Sequence, residues 1–180
     1  PVSFPGVLLC VFPAIFAPSP PGGRRTRRLA HRYEPPRPCR SLSFNHRLPT
    51  MPTVVITGAA GAIGSVTART FREAGWDLGL IDYGDENQDL LEREFPDAVV
   101  AAADLTRKAD AREAMDAVAS ATGGIGAVLG VAGGFAMQEA EKATEDDYRH
   151  MMDINFRTLF QTARAAIPYL KESRPGLLLG

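Results

Sequence analysis

Residues 51–180 are predicted to fold as an α/β domain, a doubly wound parallel sheet, behind a leader of different character. Three observations predict this. Short β-branched and aliphatic runs alternate with helix-periodic segments. A glycine-rich turn joins the first such run to the first helix. Composition also changes abruptly near Met51, so two kinds of polypeptide are joined there.

The first 50 residues hold eight Arg, no Lys and one acid (Glu34), together with ten of the 14 prolines and both cysteines, Cys10 and Cys39. The apolar run Pro5–Pro18 is interrupted by Pro13 and falls short of the roughly 20 residues a spanning helix needs. Its basic residues (Arg24, Arg25, Arg27, Arg28) follow the apolar run, whereas a secretory signal places them before it. Prolines at 18, 20, 21, 35, 36 and 38 would break an amphipathic transit helix. No periodic basic face or interleaved aromatic pattern suggests nucleic acid. We expect residues 1–50 to be a disordered leader, with a natural start at Met51. The two cysteines lack a histidine at ligand spacing, so neither a metal site nor a structural disulfide is expected. Residues 51–180 contain no cysteine, which excludes thiol catalysis there. With 45% apolar and 23% charged residues and a net charge of −1, the chain is neither wholly disordered nor a multi-span membrane protein.

From Thr53 each element has its own signal. Thr53–Thr57 (TVVIT) reads as a strand buried on both faces. Ile63, Val66, Thr70 and Ala74 then recur at helical spacing, and Gly75 is placed to stop that helix. Asp77–Ile81 is a second strand, and Asn87–Phe95 a short helix ended by Pro96. Ala98–Ala102 is a third strand, Ala109–Ala121 a helix closed by Gly123 and Gly124, and Ile125–Val131 a fourth strand. Thr144, with Asp147 three residues on and Glu145 and Asp146 between them, should cap a long helix. Its apolar stripe is predicted at Met152, Phe156, Leu159, Ala163, Ile167 and Leu170, with Pro168 bending or shortening the last turns. Leu177–Leu179 opens a fifth strand. The order demands a parallel sheet with right-handed crossovers, of which these residues would supply the N-terminal half of a Rossmann-type domain. An open apolar edge is expected at the fourth or fifth strand.

The turn after the first strand reads Thr57-Gly58-Ala59-Ala60-Gly61-Ala62-Ile63-Gly64. Gly58 suits the tight turn, Gly61 lets a diphosphate near the backbone, and Gly64 lets the helix lie against the sheet. The helix N-terminus offers free N–H groups to the anion. The plainer alternative is a tight turn with close packing and no ligand. Asp82 follows the second strand, 18 residues beyond Gly64, where a carboxylate can accept hydrogen bonds from adenosine ribose. It would also repel a 2′-phosphate, by about 1–4 kcal/mol at 4 Å. Neither the turn nor the residues just after Asp82 contain an Arg. NAD is therefore expected as the cofactor, with NADP disfavoured. The alternative is a solvated acid in an acidic stretch with Asp85, Glu86 and Asp89.

On these and two further stretches the chain resembles the short-chain dehydrogenase/reductase family, its single-domain branch, over Thr53–Gly180. The stretches are the turn Thr57–Gly64, Ala103-Asp104-Leu105, Val131-Ala132-Gly133-Gly134, and Met151–Leu170 carrying Asn155. The resemblance implies hydride transfer between nicotinamide and an alcohol or carbonyl substrate. It implies cofactor contacts at Thr57, Gly58, Ala60, Gly61, Ala62, Ile63, Gly64, Asp82, Tyr83, Asp104, Leu105, Val131, Ala132 and Gly133, and a catalytic role for Asn155. It further implies a cytoplasmic homo-oligomer with a small-molecule substrate, no metal, and no nucleic-acid or membrane partner. Two positions depart from the family: Ala62 stands in place of a glycine, and Gly130 in place of an Asn.

The family's catalytic Ser and Tyr-x-x-x-Lys follow the fifth strand. Here none of the four tyrosines has a lysine four residues on; Tyr148 is followed by Met152 and Tyr169 by Ser173. These 180 residues are thus expected to bind the cofactor as a fragment without turnover. Asn155, placed on the apolar stripe as a buried amide, reads equally as a structural device satisfied by backbone. A non-catalytic NAD-binding module or sensor is the second reading. A sugar-nucleotide epimerase or dehydratase, suggested by the glycine spacing, is the third.

Overall fold

The computed structural model describes residues 7–10, 53–137, 139–173 and 175–180. Its elements are β1 (Val7–Cys10), β2 (Thr53–Thr57), α1 (Ala62–Glu73), β3 (Asp77–Asp82), α2 (Asp85–Glu94), β4 (Val99–Ala102) and α3 (Lys108–Thr122). There follow β5 (Ala127–Gly130), α4 (Glu145–Met152), a π-helical turn (Asp153–Arg157), α5 (Thr158–Glu172) and β6 (Gly176–Leu179). All the strand pairs are parallel, in the order β1-β6-β5-β2-β3-β4. The chain winds outward from β2 through β3 to β4, then returns to place β5 on the other side of β2. At that reversal the loops after β2 and β5 leave in opposite directions and open a crevice at the C-terminal ends of the strands.

The two-residue period of β2 divides the core. Val54 and Ile56 enter one layer with Ala68, Leu78, Leu80, Leu91 and Phe95, beneath α1 and α2. Val55 enters the other with Ile81, Met115, Val118, Ala166 and Leu170, beneath α3 and α5. With both faces covered, every residue of β2 is buried, which is why its sequence shows no polar alternation. Gly79 thins β3 for α3: a Cβ there would lie 2.4 Å from Cγ1 of Val118.

Two predicted helix faces need correction. Along α1 the buried residues are Gly64 and Ala68, whereas Ile63 and Val66 are 71% and 58% exposed. At its N-terminal end the helix lies so close to the sheet that Gly64 and Ala68 form the seam, with Phe71 packing against the core one turn later, and an apolar-stripe rule points to the wrong side. On the later helix Met152 and Phe156 are exposed, and the buried seam is Thr158, Thr162, Ala165, Ala166 and Leu170. Beyond the π turn the predicted stripe holds at Leu170, which is buried, and at Leu159 and Ala163, which are half-buried, while Ile167 is exposed. The predicted cap is present: the Thr144 side chain accepts from the Asp147 amide, and the Asp147 carboxylate accepts from the Thr144 amide. The helix runs through Pro168 to Glu172.

The expected open edge is also absent on the β6 side. Val7–Cys10 pair in parallel with Gly176–Leu179. Unpaired N–H and C=O groups on β6 form a template for any extended segment, and the short apolar run of the leader supplies one. These four residues of the expected leader are described as a strand; the other residues of 1–50 lie outside the described residues. Among the described residues no helix is long and apolar enough to cross a membrane.

Helices α3 and α5 are joined by a hydrogen bond from the Tyr169 hydroxyl to the Asp116 carboxylate, which also accepts from Nε of Arg112 at 3.3 Å. The Tyr169 bond, opposed by burial and assisted by Arg112, holds the Asp116 carboxyl below its ordinary range. The same bond, with burial, pushes the Tyr169 phenol up. A depressed carboxylate contributes stability above its unfolded pKa of about 3.9 and loses it as the pH falls through the folded value. A raised phenol contributes below about pH 10 and loses it as the pH rises through its folded value. Tyr169→Phe should therefore cost about 0.5–1 kcal/mol at neutral pH, given the partial exposure of the pair. The gap from the parent in denaturant melts should be constant between about pH 5 and 9, and should close on both sides of that window.

Candidate nucleotide-binding cleft

The crevice is built by backbone held unusually close to backbone. Thr57, the last residue of β2, is buried. Its hydroxyl accepts from the amides of Val131 at 3.2 Å and Ala132 at 3.1 Å, which ties the ends of β2 and β5 together. Gly58 follows with φ of +66°, and a Cβ there would sit 2.8 Å from Cα of Ala132. The turn closes through a bond from the Gly61 amide to the Gly58 carbonyl at 3.1 Å. Gly64, one helical turn further, would bring a Cβ to 2.1 Å from that same carbonyl oxygen. The contacts at Gly58 and Gly64 exclude a side chain, which explains those two glycines without invoking a ligand.

The helix that starts there is prepared for an anion. No side chain caps α1, and its first turn carries no acid, so the first amides keep their donors and their positive end of the dipole. Ala62 and Ile63 are exposed at this terminus. A carbonyl-lined turn or an acidic first turn would have argued against phosphate.

Across the turn stands Asp82, the last residue of β3. One of its oxygens, Oδ2, accepts from the Ala60 amide at 2.7 Å. The other, Oδ1, accepts from the Tyr83 amide at 2.7 Å and from Nδ2 of Asn87 at 3.1 Å. The acid predicted from spacing alone therefore touches the glycine turn directly. It is half-buried, while Tyr83 is exposed.

Asp104 and Leu105 follow β4 and play local parts. Oδ1 of Asp104 accepts from the amide and hydroxyl of Thr106, at 3.0 and 2.6 Å, which shapes the entry into α3. Leu105 turns its side chain into the core beneath α3 and α5. Beyond β5, Val131 and Ala132 are held by Thr57, and Gly133 lies where a Cβ would be 2.6 Å from Oδ1 of Asn155.

Asn155 lies in the π turn and is exposed as a residue, contrary to the expected buried amide. Its side chain is nonetheless fully employed. Oδ1 accepts from the Gly134 amide at 3.1 Å, while Nδ2 donates to the carbonyls of Gly134 at 2.9 Å and Met151 at 3.0 Å. It thus pairs with Gly134 much as a neighbouring strand would, and fixes the loop after β5 to the long helix. The π turn shares a position with this clamp.

A family model for short chain dehydrogenase matches residues 52–179. The chain belongs to the short chain dehydrogenase family. Among its relatives, it is 29% identical over 126 residues to the L-fucose dehydrogenase of Oryctolagus cuniculus, covering 69% of this chain and 44% of that protein. It is 33% identical over 127 residues to 11-beta-hydroxysteroid dehydrogenase A of Sesamum indicum, covering 67% and 36%. A solved 3-ketoacyl-(acyl-carrier-protein) reductase from Brucella melitensis, complexed with NADH, matches with a TM-score of 0.63 at 25% identity, covering 68% and 52%. The chain spans about half or less of the length of the relatives it matches.

As a member of the short chain dehydrogenase family, the chain brings the glycine turn, Asp82, the β5 loop and Asn155 to one edge of its sheet. Leu105 stands apart in the core. Asn87 and Gly134 were not singled out from sequence. An amide residue in the first helical turn after a strand-end acid was the available signal for Asn87, hidden by placing the helix start two residues late. Gly134 ends the Val131–Gly134 stretch that carries the family resemblance, but its pairing with Asn155 runs through backbone atoms, which no local pattern marks. Tyr148 is exposed, and Tyr169 is bound to Asp116 between α3 and α5. Among the described residues no group of three or more His, Cys, Asp or Glu could hold a metal ion.

Asn155→Ala should preserve the fold and release the β5 loop. Amide exchange at Gly134, followed by NMR, should accelerate about fivefold, as expected for loss of a bond worth about 1 kcal/mol. The amides of Val131 and Ala132, held by Thr57, should keep their protection.

Proposed function

We propose that the cleft binds NAD and that these residues form the nucleotide-holding half of an oxidoreductase acting on an alcohol or carbonyl. One observation carries the reading: the bond from the Ala60 amide to Asp82. It joins the phosphate-suited turn to the ribose-suited carboxylate in a single unit, with the spacing a nucleoside diphosphate demands. The uncapped, acid-free start of α1 fits a diphosphate. The relative complexed with NADH supports a nicotinamide cofactor.

In this reading the amides at the start of α1 receive the diphosphate, and Asp82 addresses the adenosine ribose. Ile63, 71% exposed at the helix terminus, offers an apolar surface to whatever enters the cleft. Thr57 holds the floor between β2 and β5, and Asn155 keeps the β5 loop in place through Gly134. Bound nicotinamide would supply the hydride acceptor or donor. The proton that must accompany hydride transfer needs a general acid/base. None of the tyrosines here has a lysine four residues on, so we assign that step to residues outside these 180. The purified 180-residue chain is then a cytoplasmic-type binding unit without turnover of its own.

Calorimetric titration tests the reading. The parent should bind NAD at least about tenfold more tightly than NADP, since a carboxylate near a 2′-phosphate costs about 1–4 kcal/mol. Asp82→Ala should abolish that preference. Equal affinity for the two nucleotides in the parent would overturn the assignment.

A further inference from the structure

Asp82 is more heavily engaged than a ribose-binding acid needs to be. A carboxylate offers about four acceptor sites, two on each oxygen. Three are filled by the protein: the Tyr83 amide and Nδ2 of Asn87 on Oδ1, and the Ala60 amide on Oδ2. The two backbone donors are dictated by the chain path. Asn87 alone is a choice of side chain. It stands in the first turns of α2, half-buried, five residues beyond the acid.

The Asn87 amide has no freedom left. Its two N–H groups go to Oδ1 of Asp82, at 3.1 Å, and to the carbonyl of Tyr83, at 3.0 Å. A flipped amide would set its oxygen against a carboxylate and a carbonyl, so the nitrogen must face them. Oδ1 is consequently saturated and held on the α2 side. The remaining acceptor site belongs to Oδ2, the oxygen already in contact with the glycine turn.

Resting on the reading of the cleft as an NAD site, we propose that Asn87 is a positioning residue for nucleotide choice. By holding Oδ1 it keeps the charge of Asp82 facing the turn and reserves a single acceptor on Oδ2 for one ribose hydroxyl. A ribose bearing a 2′-phosphate then meets a fixed negative charge that cannot swing aside. Without Asn87 the two backbone donors alone hold the carboxylate, which is freer to turn, contributing less to NAD recognition and repelling NADP less.

The test is a set of titrations with NAD and with NADP on the 180-residue chain and on Asn87→Ala, Asn87→Ser, Asp82→Ala and the Asp82→Ala/Asn87→Ala double variant. Asn87→Ala introduces a better helix former into α2, and circular dichroism verifies its fold. Asn87→Ala should lower the ratio of the NADP to the NAD dissociation constant about tenfold, the equivalent of one hydrogen bond to a charged group. Asn87→Ser, which retains one shorter donor, should fall between parent and Asn87→Ala. In the Asp82→Ala background Asn87→Ala should change the ratio no further, because Asn87 acts through that carboxylate. An unchanged ratio in Asn87→Ala, with Asp82→Ala abolishing selectivity, overturns this proposal and leaves the cleft reading intact. An equal drop in both backgrounds also overturns it, since Asn87 would then act on the nucleotide directly. Failure of the parent to bind or to prefer NAD overturns the cleft reading itself and the proposal with it.

Discussion

At Gly64 a Cβ would meet the carbonyl oxygen of Gly58 at 2.1 Å, and at Gly58 one would meet Cα of Ala132 at 2.8 Å. These are backbone contacts, so no side-chain rotation relieves them. The first turn of α1, the turn after β2 and the loop after β5 are therefore stacked at main-chain distance. The rest of the cleft depends on that stacking. It sets the height of α1 on the sheet, aims its free amides over the strand ends, and brings the Ala60 amide within 2.7 Å of Asp82. Thr57 adds the polar tie that the close approach makes possible, reaching two amides of the β5 loop with one hydroxyl.

Such proximity also decides what could be read from the sequence. Strands β2 and β3 and the predicted capping box are set by local chemistry: β-branched runs, flanking turns and a Thr–Asp pair. They were legible because nothing distant competes with those signals. The glycine spacing and Asp82 were legible for a related reason, since each glycine answers a steric demand and the acid lies at a strand end. The faces of α1 and α5 were not. Apolar periodicity assumes that large side chains mark the buried side, and α1 inverts that where Gly64 and Ala68 form the seam. On the long helix the stripe misses at Met152 and Phe156, before and within the π turn, and at Ile167, whereas Leu170 is buried as the periodicity predicts. Asn155 was found by likeness to family sequences. Its backbone partners, however, arise from a contact 21 residues distant in the chain, which no local pattern encodes.

Departure from the family at Gly130 has a structural answer. Where an Asn would hydrogen-bond across the sheet, the missing side chain leaves room filled by Leu159. Its Cδ1 lies 2.5 Å from where a Cβ at Gly130 would be, and 2.3 Å from the same point at Gly180. One leucine thus fills space over two glycines at the ends of β5 and β6, replacing a polar tie with packing. Leu159 lies four residues beyond Asn155, so dispersion at one turn and hydrogen bonding at the previous one hold the helix to the same strand end. Loss of the Asn need not loosen the sheet when a shape-matched apolar contact takes its place.

The electrostatics of the cleft pose a problem that its hydrogen bonds resolve. A diphosphate binding at α1 would lie near the carboxylate of Asp82, and like charges 4 Å apart repel by about 1–4 kcal/mol at the dielectric of a protein surface. Three N–H donors converge on that carboxylate, each bond to a charged acceptor contributing about 1.5–3 kcal/mol when well made. In the proposed site they would disperse its charge and let it share the cleft with phosphates at the helix terminus. A third phosphate, on the ribose, would have no such compensation: it would face Asp82 with no Arg in the turn or just after the acid. If the cleft is the proposed NAD site, tolerance of two phosphates and rejection of a third would follow from the same three bonds, with the carboxylate kept from turning away.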